Sequence, residues 1–227
     1  MRTAGLALRV AAAVSAVLVI TACAVGADGG TGNAPNGAPL DEVNQSAMGV
    51  DENTAVDATD TYWRNHFQEL FGRPYRSPRV EGGYVGDNGP RCAGQPSVPF
   101  NAVYCPAGDF LAWDENLMAA GYQQIGDAWV YLIIAHEWAH AIQARLDRDL
   151  VLVAAELQAD CLAGASLQGA AADGLIRIEP GDRDELANTL AAVADDFPWT
   201  DESDHGDARQ RVRAFNVGAE RGVQACT

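Results

Sequence analysis

The segment Leu132–Asp147, "LIIAHEWAHAIQARLD", restricts this chain more than any other. Its apolar residues suit a buried helix, yet it carries His136, Glu137 and His140, and the 227 residues contain only four histidines. Imidazole and carboxylate groups in an apolar setting cost free energy unless partners meet them. Any fold for this chain must therefore bring partners to that helix.

Residues i and i+4 of an α-helix project from one face a turn apart, so His136 and His140 can converge on a single metal ion. Glu137 lies about 100° further round, placed to reach a water beside such an ion rather than the ion itself. This is the H-E-x-x-H arrangement of zinc peptidases. The short pattern needs a third ligand, and the downstream sequence offers one. If the chain turns at Asp147–Asp149, His140 and Glu156 stand equally far from Arg148 on two antiparallel arms, as do His136 and Asp160. Glu156 and Asp160 are also four apart, so one carboxylate can ligate the metal while the other accepts the spare imidazole N–H of His136. The competing readings are core histidines with ordinary partners and a solvated acidic helix face. "VLVAAELQADCLAGA" is too apolar for such a face.

The N-terminus reads as an export signal over residues 1–22, with Arg2 and Arg9 ahead of the apolar run Val10–Ile20. That run is too short to span a bilayer alone. It ends in "LVITAC", which resembles a lipobox and makes Cys23 the expected lipidation site. Residues 23–50, rich in Gly, Ala, Asn and Pro, read as a flexible tether, and 51–227 as one folded domain. The expected location is the outer face of a bacterial cell membrane, held by the lipid on Cys23. Beyond Cys23 the chain has 13 arginines, no lysine and 31 acidic residues, a charge of −18. Nucleic acids and anionic lipid surfaces both call for basic patches, so neither is an expected partner.

Cys92, Cys105, Cys161 and Cys226 remain, an even number in an exported chain. The expected disulfides are Cys92 with Cys105 and Cys161 with Cys226. A four-cysteine zinc site lacks a C-x-x-C pair. Helical spacing in "DATDTYWRNHFQELFG" predicts a packing helix over 57–72, stopped by Gly72 and Pro74. "GGYVG", "NAVYC" and "DFLAW" predict short strands, and helices are expected near 115–122, 127–147, 150–173, 182–195 and 205–221. The fold class is α+β and helix-dominated, with a small β region before the active-site helix hairpin.

Four ordered segments resemble a family of neutral zinc metallopeptidases of bacterial envelopes. "RCAGQPSVPFNAVYCPAGDFLAWDENL" is similar to its cysteine-bracketed segment and "AHEWAHAIQ" to its H-E-x-G-H-x-x-Q helix. "ELQADCLAG" is similar to its ligand segment, and "HGDARQR" to its H-G-x-x-x-Q-R segment. The resemblance implies a zincin-like domain with one Zn2+ on His136, His140 and Glu156 and Glu137 as catalytic acid/base; the spacing places Asp160 behind the ligands. Ala139 replaces the family's usual glycine, with the bulky Trp138 before it, which narrows the room near the second histidine. His205 is the expected donor to a developing oxyanion, with Tyr131 second, and His66 a surface residue. The implied activity is hydrolysis of peptide bonds in a peptide or protein substrate. A catalytically silent lipoprotein that binds a peptide or a partner protein is one alternative. A hydrolase of cell-wall peptide cross-links is another.

Overall fold

The computed structural model describes residues 42–194 and 206–227. The expected signal at 1–22, the expected lipidation site Cys23, most of the expected tether and His205 lie outside the described residues. Six helices are described: α1 (Glu42–Phe71), α2 (Glu115–Gln124), α3 (Ala128–Gln143), α4 (Ala155–Ala172), α5 (Asp182–Ala192) and α6 (Ala208–Arg221). Three strands, β1 (Arg79–Tyr84), β2 (Ala102–Cys105) and β3 (Phe110–Asp114), form one sheet in the order β1-β3-β2. β1 runs parallel to β3 and β2 antiparallel to it, with Ala102 opposite Trp113 and Cys105 opposite Phe110. This is a helix-dominated α+β domain.

Apolar pattern explains the layout. α3 is apolar on nearly every side and sits in the middle of the core, with Val130, Ile134, Trp138 and Ile142 all buried. β3 is buried along its whole length and is the central strand. β2 is left as an edge strand beside α3. Asp114, at the end of β3, caps α2 through Asn116 N and also accepts from the backbone N–H groups of Gly86 and Phe100. One buried carboxylate thereby fixes the loop that delivers β2. The Cys92–Cys105 disulfide closes the same loop.

Three helix boundaries differ from expectation. α1 begins at Glu42, inside the segment expected to be tether, and extends the helix predicted over 57–72. Side chains that look solvated in sequence find partners across the fold: Asp51 accepts from the hydroxyls of Tyr122 and Tyr131, and Glu52 from Trp113 Nε1 at 3.0 Å. Met48 and Ala55 add buried contacts to the same face. α3 also stops at Gln143 and α4 starts only at Ala155, so the connection is longer than a tight turn at Asp147–Asp149. Gln158 holds this connection open, donating to the Leu150 carbonyl and accepting from Leu152 N.

α4 and α6 touch backbone to backbone. A Cβ on Gly164 would lie 2.2 Å from the Phe215 carbonyl oxygen, and one on Gly218 only 1.8 Å from that of Cys161. The Cys161–Cys226 disulfide fastens the chain just beyond α6 to the same helix. Both expected pairings are therefore present.

Gly218→Ala should separate α4 from α6 and lower stability by roughly 2–3 kcal/mol in urea unfolding, as overpacking does. A cost below about 0.5 kcal/mol would contradict this close approach. Glu52 gives a pH test. Burial, then the charge of Glu115, pushes its carboxyl up from 4.5 to about 7, against the hydrogen bond from Trp113. The folded chain then binds more protons than the unfolded chain between these values, so stability falls as pH rises through that window. Glu52→Gln keeps an acceptor for Trp113 and should flatten the fall, adding on the order of 2 kcal/mol at pH 8 relative to pH 4. An unchanged pH slope would contradict the assignment.

Candidate metal centre and active site

Both histidines of the opening segment have their Nδ1 atoms committed to acceptors. His136 Nδ1 lies 2.9 Å from Asp160 Oδ1 on α4. That carboxylate is bonded on both oxygens by Arg211 of α6, through Nε to Oδ2 and Nη2 to Oδ1, each at 2.8 Å. Carrying no proton of its own, it can only accept, so His136 Nδ1 is the donor. His140 Nδ1 lies 2.8 Å from Gln143 Oε1. The orientation of this amide follows from its Nε2, which donates to the Ala155 carbonyl at 2.6 Å and to Gln158 Oε1 at 3.1 Å. Gln143 therefore presents oxygen to His140, and His140 Nδ1 also donates.

The consequence falls on the other ring nitrogens. In the neutral rings, protonation at Nδ1 leaves a lone pair on each Nε2, and the two Nε2 atoms face each other at 3.2 Å. Glu156 joins them from α4, with Oε2 at 3.2 Å from His136 Nε2 and Oε1 at 3.4 Å from His140 Nε2. His136, His140 and Glu156 each offer a ligand atom within 4.8 Å of the others. Three acceptors thus converge, and a cation satisfies all three. Two imidazole nitrogens and one carboxylate are a zinc donor set that keeps a coordination position open.

Electrostatics reflect the same crowding. Burial opposes charge on His136, but hydrogen bonds to Asp160 and Glu156 outweigh it and hold its pKa well above the usual histidine range. His140 moves the same way, with burial overridden chiefly by Glu156. Burial would raise the carboxyl of Glu156, yet the two imidazoles hold it far below the usual range. Burial acts on Asp160 in the same sense, and His136 and Arg211 overcome it to hold that carboxyl low.

Glu137 projects into a cleft of about 450 Å³ lined by Ala102, Val103 and Tyr104 of β2, by both histidines and by Glu156. Its Oε2 accepts from the backbone N–H of Tyr104 at 2.7 Å. The Tyr104 hydroxyl donates to Asp109 Oδ1, which also receives Arg145 Nη2 from the chain just past α3. The edge strand and the metal-bearing helix are thus tied together on both sides of Tyr104.

The level pairing of His140 with Glu156 and of His136 with Asp160 survives the longer connection between the helices. Tyr131 is not at the site: its hydroxyl donates to Asp51, and it lines a separate cavity toward the start of α3. Nor do Trp138 and Ala139 narrow the cleft. Trp138 turns into the core and donates to the Tyr75 hydroxyl, and Ala139 is fully buried. His66 pairs with Asp173 far along the chain from the ligands. Sequence reasoning assigned no role to Gln143, Arg211 or the Tyr104 N–H. The first two stand in the H-x-x-Q and Q-R ends of segments singled out above, a signal that was present but without a partner to interpret it.

No curated protein and no solved structure matches this chain. The model of one family, described as "Putative neutral zinc metallopeptidase", matches residues 5–227. The chain therefore belongs to this family of zinc metallopeptidases, which implies one Zn2+, and His136, His140 and Glu156 are the residues that fit it.

Proposed function

We propose that this chain is an exported, lipid-anchored zinc metalloendopeptidase of the bacterial envelope, with Glu137 as general base. The observation that carries the reading is the place of Glu137: one residue from a metal ligand, in the cleft, its carboxylate aimed by a main-chain N–H of the facing strand. Zinc, when bound by His136, His140 and Glu156, supplies Lewis acidity that polarises a carbonyl and activates water. Glu137 takes the proton from the attacking water and passes it to the departing amine. The Tyr104 N–H keeps that carboxylate over the ligands rather than turned to solvent.

β2 is an edge strand that lines the cleft, and extended peptides add readily to exposed strand edges. Among the described residues lining the cleft there is no arginine or lysine to hold a chain's terminal carboxylate, and Glu137 and Glu156 are already committed. This favours bonds inside a chain over bonds at its ends. His205 is the proposed donor to the oxyanion that develops on the scissile carbonyl. Export and anchoring rest on the leader residues and Cys23 alone.

Glu137→Gln should lower peptide hydrolysis by about 10²–10⁴-fold while leaving one zinc per chain, measured with a quenched-peptide library and metal analysis on the exported Cys23→Ser chain. Retained hydrolysis would remove Glu137 from the mechanism, and a zinc-loaded wild type that cleaves no peptide would end the peptidase reading. His205→Ala should cost about 10²–10³-fold in kcat with zinc retained. An unchanged kcat would contradict its role. Cys23→Ser should also move the protein from the membrane to the soluble fraction, and continued membrane association would contradict the anchor.

A further inference from the structure

Arg211 ends the "HGDARQR" segment, and the proposed hydrolysis gives it no part. The residues before it build its platform. Gly206 adopts a φ of 81°, Asp207 caps α6 by accepting from Gln210 N, and Gln210 Oε1 accepts in return from Asp207 N. Arg211 follows one turn into the helix and is buried. The Gly164 and Gly218 contacts let α6 approach α4 closely enough for the guanidinium to reach Asp160.

All its visible bonds point toward the metal centre or brace it there. Nε and Nη2 meet the two oxygens of Asp160, Nη1 donates to the Val193 carbonyl at 2.6 Å, and Nη2 stands 3.4 Å from His136 Nδ1. Asp160 Oδ1 is thus shared between Arg211 and His136. Burying such a pair is weak as a stability device, since desolvation offsets the attraction. Its planar fork, by contrast, fixes a carboxylate in orientation as well as position.

We propose that Arg211 is a positioning residue for the metal centre: by clamping Asp160 in one orientation it aims the oxygen that holds His136, and so sets how tightly the site binds zinc. This rests on the reading of His136 as a zinc ligand. Partners behind a ligating histidine commonly change metal affinity by about 10–100-fold when altered. Arg211 acts through such a partner, so its effect should vanish when the partner is already changed.

The test compares zinc affinity, by chelator competition, in the wild type, R211K, D160N and D160N/R211M. R211M alone would leave a buried carboxylate without its cation, so it is paired with D160N, which removes that charge. R211K should weaken zinc binding about tenfold or more, because a point charge replaces the fork. D160N should weaken it similarly, and D160N/R211M should bind as D160N does. Wild-type affinity in R211K, or a further tenfold loss in D160N/R211M beyond D160N, would overturn the proposal. A merely structural role would shift the unfolding midpoint of the metal-free chain without this non-additivity. The readout is zinc affinity rather than hydrolysis, so a chain that binds zinc and cleaves nothing ends the peptidase reading and leaves the proposal standing. A wild type that binds no zinc overturns both.

Discussion

The structure depends on two hydrogen bonds made by the far sides of two imidazole rings. Asp160 and Gln143 accept from the Nδ1 atoms of His136 and His140, and in doing so turn both Nε2 lone pairs inward beside the Glu156 carboxylate. Neither acceptor is free to change its role. Asp160 is held by Arg211 on both oxygens, and the Gln143 amide is held by the Ala155 carbonyl. In their neutral tautomers the two rings and Glu156 offer three acceptors with no donor between them, a set that a cation satisfies.

The rest of the fold supplies these partners. α3 brings both histidines and Glu137, and α4 brings Glu156 and Asp160 from the other side. α6 reaches the site only because it packs on α4 through glycines, so the C-terminal helix is coupled to the metal centre rather than appended to it. On the opposite wall, Asp114 and the Cys92–Cys105 disulfide place β2, whose Tyr104 N–H aims Glu137. Glu137 and the three ligand residues therefore sit between an edge strand and a helix, each braced by polar bonds.

Much of the metal centre is legible in the amino-acid sequence, because it depends on periodicity and spacing. Four-residue steps put His136 with His140 and Glu156 with Asp160, and the level count across the hairpin joins the pairs even though the connection is longer than a turn. The even cysteine count points to two disulfides without fixing their pairing, and the Cys161–Cys226 bridge spans 65 residues. The start of α1 is not legible, because Asp51 and Glu52 look like solvent residues until Tyr122, Tyr131 and Trp113 arrive from elsewhere in the chain. Arg211 is hidden for the same reason: its partner lies 51 residues away, and only the contact between α4 and α6 brings them together. Tyr131, the second candidate for the oxyanion donor, instead donates to Asp51 and lines a separate cavity.

The central claim is that partners behind the rings preset both histidines for the metal. Long-range proton–nitrogen correlation spectra of the zinc-loaded, 15N-labelled protein report it directly. The account predicts that His136 and His140 both carry their proton on Nδ1, with Nε2 shifted by the metal. A zinc-loaded protein in which either ring keeps its proton on Nε2, or binds zinc through Nδ1, would contradict it.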